Sequence, residues 1–208
     1  MLISSFELLL KPRLPKALPP GIPVTIEKPS RNIIQGYCLK ISNLNAFEIV
    51  LSLVFDTQLS DGITHHDFLA FFDVSGSGDR GVISADITET QLQFSSLRIP
   101  PLSTGHFFLQ PNVLTKSDLL TRLDFEVRGF AEVYLSSLSG ESTDVKIQVT
   151  PEQRGTFFSD FSNENSILKD SLDQIAYSLP VLNGGLVTLN RAGKTLDRPE
   201  SKILSLCV

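Results

Sequence analysis

The run Asp73-Val74-Ser75-Gly76-Ser77-Gly78-Asp79 offers oxygen ligands at close spacing around two glycines. Calcium and other hard cations need several oxygens, which alternating acidic and hydroxyl side chains beside glycines can supply. Asp73, Ser75, Ser77 and Asp79 are the four ligands an ion would use. Two positions break the match to a helix–loop–helix calcium loop. Ser84 stands at the twelfth position, where a bidentate glutamate is needed, and Arg80 takes the eighth, which is usually apolar. The segment before the run also reads as a strand. A hairpin loop explains the same residues without an ion, so no metal is expected.

His65, His66 and His106 are the three histidines, and Asp67 adjoins the first two. Imidazoles ligate metals and act as general bases, but neighbours on a strand point to opposite faces and rarely converge on one ion. A solvated loop leading into the next strand is the favoured reading. An enzyme built on these histidines is the third function class considered. Hydrolysis needs a nucleophile, a base and an orienting group together in space. No serine lies in a Gly-x-Ser-x-Gly elbow, and neither cysteine has a catalytic signature around it. Gly76, Gly78 and Gly81 lack the Lys-Ser/Thr of a phosphate loop. The expectation is a chain without enzymatic activity and without a cofactor.

Phe130 and Tyr134 are the candidate partner-binding residues. They interrupt an otherwise charged strand face, about 13 Å apart at strand spacing. Rings on such a face must be covered or used. The chain's own Phe157, Phe158 and Phe161 could cover them; a protein or carbohydrate could use them. Pro12-Arg13-Leu14-Pro15 matches the PxxP pattern of groove ligands, but a stiff segment blunting a sheet edge is the favoured reading.

The elements that must position these residues read as strands. Over residues 123–136 the odd positions are Leu123, Phe125, Val127, Gly129, Ala131, Val133 and Leu135, while the even ones are mostly polar. A period of two writes a long strand with one buried face. A polar, Gly-containing stretch follows, then Val145, Ile147 and Val149 in alternation, which predicts a β-hairpin ended by Pro151. Residues 37–42, 47–55, 67–74, 82–87, 91–99 and 105–110 give further strands. About seven or eight strands therefore fall between residues 24 and 150, with turn signals between them. The pattern predicts an all-β, immunoglobulin-like antiparallel β-sandwich. That resemblance is one of class and transfers no function. Ile167, Leu168, Leu172, Ile175, Ala176 and Leu179 fall at helical spacing before Pro180, predicting one short helix. Residues 186–189 give one more strand.

Residues 1–23 are expected to form an N-terminal strand and a Pro-rich segment, 24–150 the sandwich, and 151–208 a C-terminal extension. The chain has 208 residues with 14 Phe, no Trp and one Met, a composition suited to a rigid core. A net charge of −5 with scattered Lys and Arg excludes a nucleic-acid partner. No stretch reaches the ~18 apolar residues of a membrane span. Residues 1–10 lack a basic leader and a small-residue cleavage site, so no secretory signal is expected. Cys38 and Cys207 are the two cysteines, and nothing in the sequence decides whether they pair. So low a cysteine count favours a reducing, cytoplasmic setting, with Cys38 as a small buried hydrophobe. The expected function is a non-enzymatic interaction or structural module, with a protein partner or a homo-oligomer and as one subunit of a larger assembly. A carbohydrate- or calcium-dependent binding domain is the alternative.

Overall fold

A computed structural model describes residues 1–12, 32–74, 76, 81–139, 144–158 and 173–190. They form twelve strands: β1 (Leu2–Pro12), β2 (Asn32–Asn43), β3 (Ile49–Thr57), β4 (Phe68–Asp73), β5 (Gly81–Ile83), β6 (Asp86–Thr88), β7 (Gln91–Ile99), β8 (Thr104–Pro111), β9 (Phe125–Leu135), β10 (Asp144–Phe158), β11 (Asp173–Ser178) and β12 (Leu186–Asn190). One α-helix of six residues, α1 (Ser117–Arg122), joins β8 to β9 among the described residues. No described helix is long and apolar enough to cross a membrane.

The strands make one antiparallel sheet in the order β5-β4-β8-β2-β1-β9-β3-β7-β6, and β10 branches from β2 carrying β11 and β12. The branch arises because β2 divides one of its edges. Its residues 32–35 pair with β1, whereas residues 37–42 pair with β8. Gly36 stands at the division, where a Cβ would lie 2.8 Å from the Leu109 carbonyl oxygen. No larger residue fits that crossing.

Beyond this point the sheet curls, and strands distant along the ladder face each other. Phe55 of β3 stacks on Phe107 of β8 at 5.6 Å between ring centres, although β2, β1 and β9 separate their strands in the sheet. Phe6, Tyr37 and Phe94 complete the cluster with edge-to-face contacts to Phe55 at 5.0, 5.5 and 5.8 Å. Such offset geometry adds to the area term by aligning ring edges with ring faces. Tyr37 keeps its hydroxyl satisfied through Ser4 Oγ at 2.9 Å, and burial pushes its phenol well above the usual range.

The expectation of an immunoglobulin-like sandwich is met at the coarser level of an all-β antiparallel fold. Two separately bonded sheets do not form, because the divided edge of β2 carries the ladder unbroken from one layer to the other. The buried face of β9 is as its alternation predicts, with Phe125, Val127, Ala131 and Val133 all buried.

Three local expectations are corrected. β9 and β10 do not form a hairpin: β9 pairs with β1 and β3, while β10 pairs with β2, β11 and β12. Both inner faces are apolar and enter one core, but β2 and β1 stand between the two strands in the sheet. The helix over residues 167–179 is replaced, in its described part, by β11, which pairs with residues 152–157 of β10. Every residue of β11 is exposed, so its ladder bonds and not an apolar stripe fix its conformation.

Pro151 does not end its strand; β10 runs 15 residues through it. A strand residue points its N–H and C=O to the same side. The Pro151 carbonyl accepts from Leu179 N at 3.0 Å, so its missing N–H faces the break between β12, paired with 144–148, and β11. The sheet loses no ladder bond there.

Candidate functional site

The even-numbered residues of β9 face outward. Phe130 is 56% exposed and Tyr134 37%, and Leu2 of β1 is 45% exposed opposite Glu132, the residue between them. The Tyr134 hydroxyl donates to the Glu132 carboxylate. Burial first, then that hydrogen bond and the charges of Glu132 and Asp56, push its phenol up to about 12. The other end of the same face is ionic. Arg128 donates to Glu7 Oε1 at 2.5 Å and meets Glu126 Oε1 at 2.6 Å, while Lys11 bonds the other Glu126 oxygen. The hydrogen bond from Lys11 chiefly holds the Glu126 carboxyl below its usual range. An apolar trio thus adjoins a charged ladder on one open face.

Phe157 and Phe158 do not cover these rings. They lie in β10 opposite Ile33 and Asn32 of β2, and Phe158 is buried there. Phe161 lies outside the described residues, as do Ser75, Ser77, Asp79, Cys207 and the PxxP segment beyond Pro12. Asp73 ends β4, and its Oδ1 accepts from Gly76 N at 3.0 Å, closing a turn. Among the described residues no three His, Cys, Asp or Glu side chains are grouped to hold a metal.

The histidines separate. His65 and His66 sit in a single 3₁₀ turn with ring centres 3.8 Å apart, where Asp67 accepts from the Thr64 N–H and hydroxyl at 2.7 and 2.9 Å. His106 lies at the far end of β4, opposite Asp73. Its Nε2 is 2.8 Å from Cys38 Sγ on β2.

This contact is the feature that local spacing misses. Cys38 is 1% exposed, yet it lies outside the main core cluster, on the face of β2 opposite Tyr37 and Leu39. Its cross-strand neighbours there are Phe108 and Glu152. Arg154 donates to Glu152 Oε2 at 3.1 and 2.8 Å, and Lys40 Nζ donates to Oε1 at 3.1 Å. The Arg154 hydrogen bond is the largest cause holding the Glu152 carboxyl below its usual range. His106, Arg154, Asp73, Phe71 and Phe108 line a ≈ 400 Å³ cavity beside the thiol, and Cys38 itself is not in its wall. The contact sets a nucleophilic side-chain type within hydrogen-bond distance of a basic one.

No family model matches the chain. No curated protein matches it. A solved structure described as "AvmM Catalyzes Macrocyclization in Alchivemycin A Biosynthesis" is similar at 9% identity over 93% of this chain and 92% of that chain, with a TM-score of 0.19. So low a score carries no argument about fold or chemistry. The expectation of a chain without enzymatic activity is nevertheless corrected. The Cys38–His106 contact removes the premise that no nucleophile meets a base, and it assigns no activity.

Proposed function

We propose that this chain is a protein-interaction module whose curled sheet serves as an immunoglobulin-like scaffold for the outer face of β1 and β9. The observation that carries the reading is the exposure of Phe130, Tyr134 and Leu2 together on a rigid strand pair. Aromatic side chains dominate interface energetics because they desolvate a large area at small entropic cost. The adjoining ladder of Lys11, Glu126, Arg128 and Glu7 supplies a polar rim that fixes orientation. The partner is another protein or a second copy of this chain, within a larger assembly. With two cysteines in the chain, a reducing compartment such as the cytoplasm belongs to the same proposal.

The test is the mass of the particle in native extract and after purification, read by size-exclusion chromatography with light scattering. A species heavier than the 22.9 kDa chain is expected, weakened about tenfold or more by Phe130→Ser with Tyr134→Ser. A strict monomer in both samples defeats the reading.

A further inference from the structure

The division of β2 opens a second feature on the other side of β1. Because β1 bonds β2 only through Leu9–Pro12 pairings, its earlier residues stand away from that neighbour. In the opening lies a ≈ 660 Å³ cleft, walled by Ser5 and Glu7 of β1, Arg128 and Phe130 of β9, Gln153 of β10 and Tyr177 of β11.

Gln153 is 2% exposed, and its Oε1 is the one buried side-chain nitrogen or oxygen without a hydrogen-bond partner among the described residues. Buried polar atoms are paired in the great majority of proteins, since burial without a partner costs about 1–3 kcal/mol. Gln153 lies directly opposite Tyr37 on one side and Tyr177 on the other. Opposed residues of an antiparallel pair share a face. The amide therefore sits deep on the face whose outer lip is the Tyr177 ring, which is 45% exposed. Phe130 stands on the other wall.

The charged groups of the cleft are already matched. The Glu7 carboxylate accepts from Gln35 Nε2 at 2.9 Å and from Arg128 at 2.5 Å. An ionic ligand would gain little against a compensated pair, but a neutral one meets oxygens held in fixed positions. Two ring faces, one buried amide and a held carboxylate ask for a molecule with C–H faces to stack and hydroxyls to share. A hydroxyl both donates and accepts, so it satisfies the amide while keeping a bond for its neighbour. The volume suits a ligand of two or three rings.

We infer that this cleft binds a neutral saccharide, with a sugar face against Tyr177 and a hydroxyl donating to Gln153 Oε1 once that buried side chain turns toward the opening. The inference shares the Phe130 wall with the partner reading, but its two tested residues, Gln153 and Tyr177, lie outside the Leu2, Phe130 and Tyr134 trio.

Titration of the full chain with maltotriose, cellotriose, mannotriose and chitotriose tests it, followed by calorimetry and by tyrosine emission. With no Trp and three Tyr in the chain, Tyr177 contributes a large share of that signal. Saturable binding of at least one trisaccharide is expected. Gln153→Leu and Tyr177→Ala should each weaken it about tenfold or more, with Tyr134→Ala unchanged. Tyr177 is exposed, so its variant carries the test even if Gln153→Leu folds poorly. Failure of all four sugars to saturate, or wild-type binding by both cleft variants, overturns the inference and leaves Gln153 to a water molecule. Loss of binding in Tyr134→Ala alone also overturns it, by moving the sugar to the outer face.

Discussion

Cys38 Sγ and His106 Nε2 lie 2.8 Å apart, joining β2 to β8 across the outer face of the sheet. The imidazole belongs to the cavity wall, and the thiol is 1% exposed. From the cavity side, His106 stands between a reagent and the sulfur. Peptide mapping after brief iodoacetamide treatment should find Cys38 protected in the native protein and labelled after unfolding. His106→Ala should raise native labelling about tenfold or more, because it removes cover from a buried thiol. Equal labelling of both native proteins would mean that His106 does not control access.

Phe55 is fully buried and touches Phe6, Tyr37, Phe94 and Phe107. Phe55→Ala should cost about 3–5 kcal/mol, read as a lower urea midpoint with little change in slope. A loss under about 1 kcal/mol would show that the two layers collapse to fill the cavity.

Gly129 is where β9 passes closest to β3. A Cβ there would sit 1.9 Å from the Asp56 carbonyl oxygen and 3.0 Å from a Phe6 ring carbon. Gly129→Ala should cost roughly 1–3 kcal/mol by forcing the strands apart. Gly81→Ala is the control, since a Cβ at Gly81 meets nothing within 4 Å. Comparable urea midpoints for the two variants would contradict the close approach.

Glu152 and Glu126 both ionise below their ordinary value of 4.5 in the folded chain, held chiefly by hydrogen bonds from Arg154 and Lys11 respectively. A carboxyl lowered by folding contributes stability that is complete above its unfolded value and lost as pH falls through its folded one. The urea midpoint should accordingly fall on acidification below about pH 4.5. Glu152→Gln should lower the midpoint at pH 7 and flatten that acid slope. A steeper slope in the variant would refute the sign.

Most strands of this fold are legible in the sequence, and their partners are not. Alternation alone locates β9, and β7 spans the same residues, 91–99, that the pattern indicates. Pairing is a different matter. β9 bonds β1, more than a hundred residues away, and the apolar run after it looks like a hairpin partner but bonds β2. β11 has helical spacing by coincidence, and its conformation comes from the open edge of β10. The outward direction of Phe130 and Tyr134 follows from the period of two, so that face could be read in advance. Cys38 and His106 stand 68 residues apart on separate strands, and only the register of β2 on β8 brings them together. Gln153 carried no signal either, because its unmet oxygen depends on the opening beside β1.

At Pro151 the uncovered side of β10 offers an incoming strand an acceptor already engaged by Leu179 and no hydrogen to give. A foreign chain that displaced β12 and annealed there would lose registry within a few residues. The longest strand thus carries its own interruption against runaway stacking of molecule upon molecule, at the single residue where interruption disturbs nothing inside.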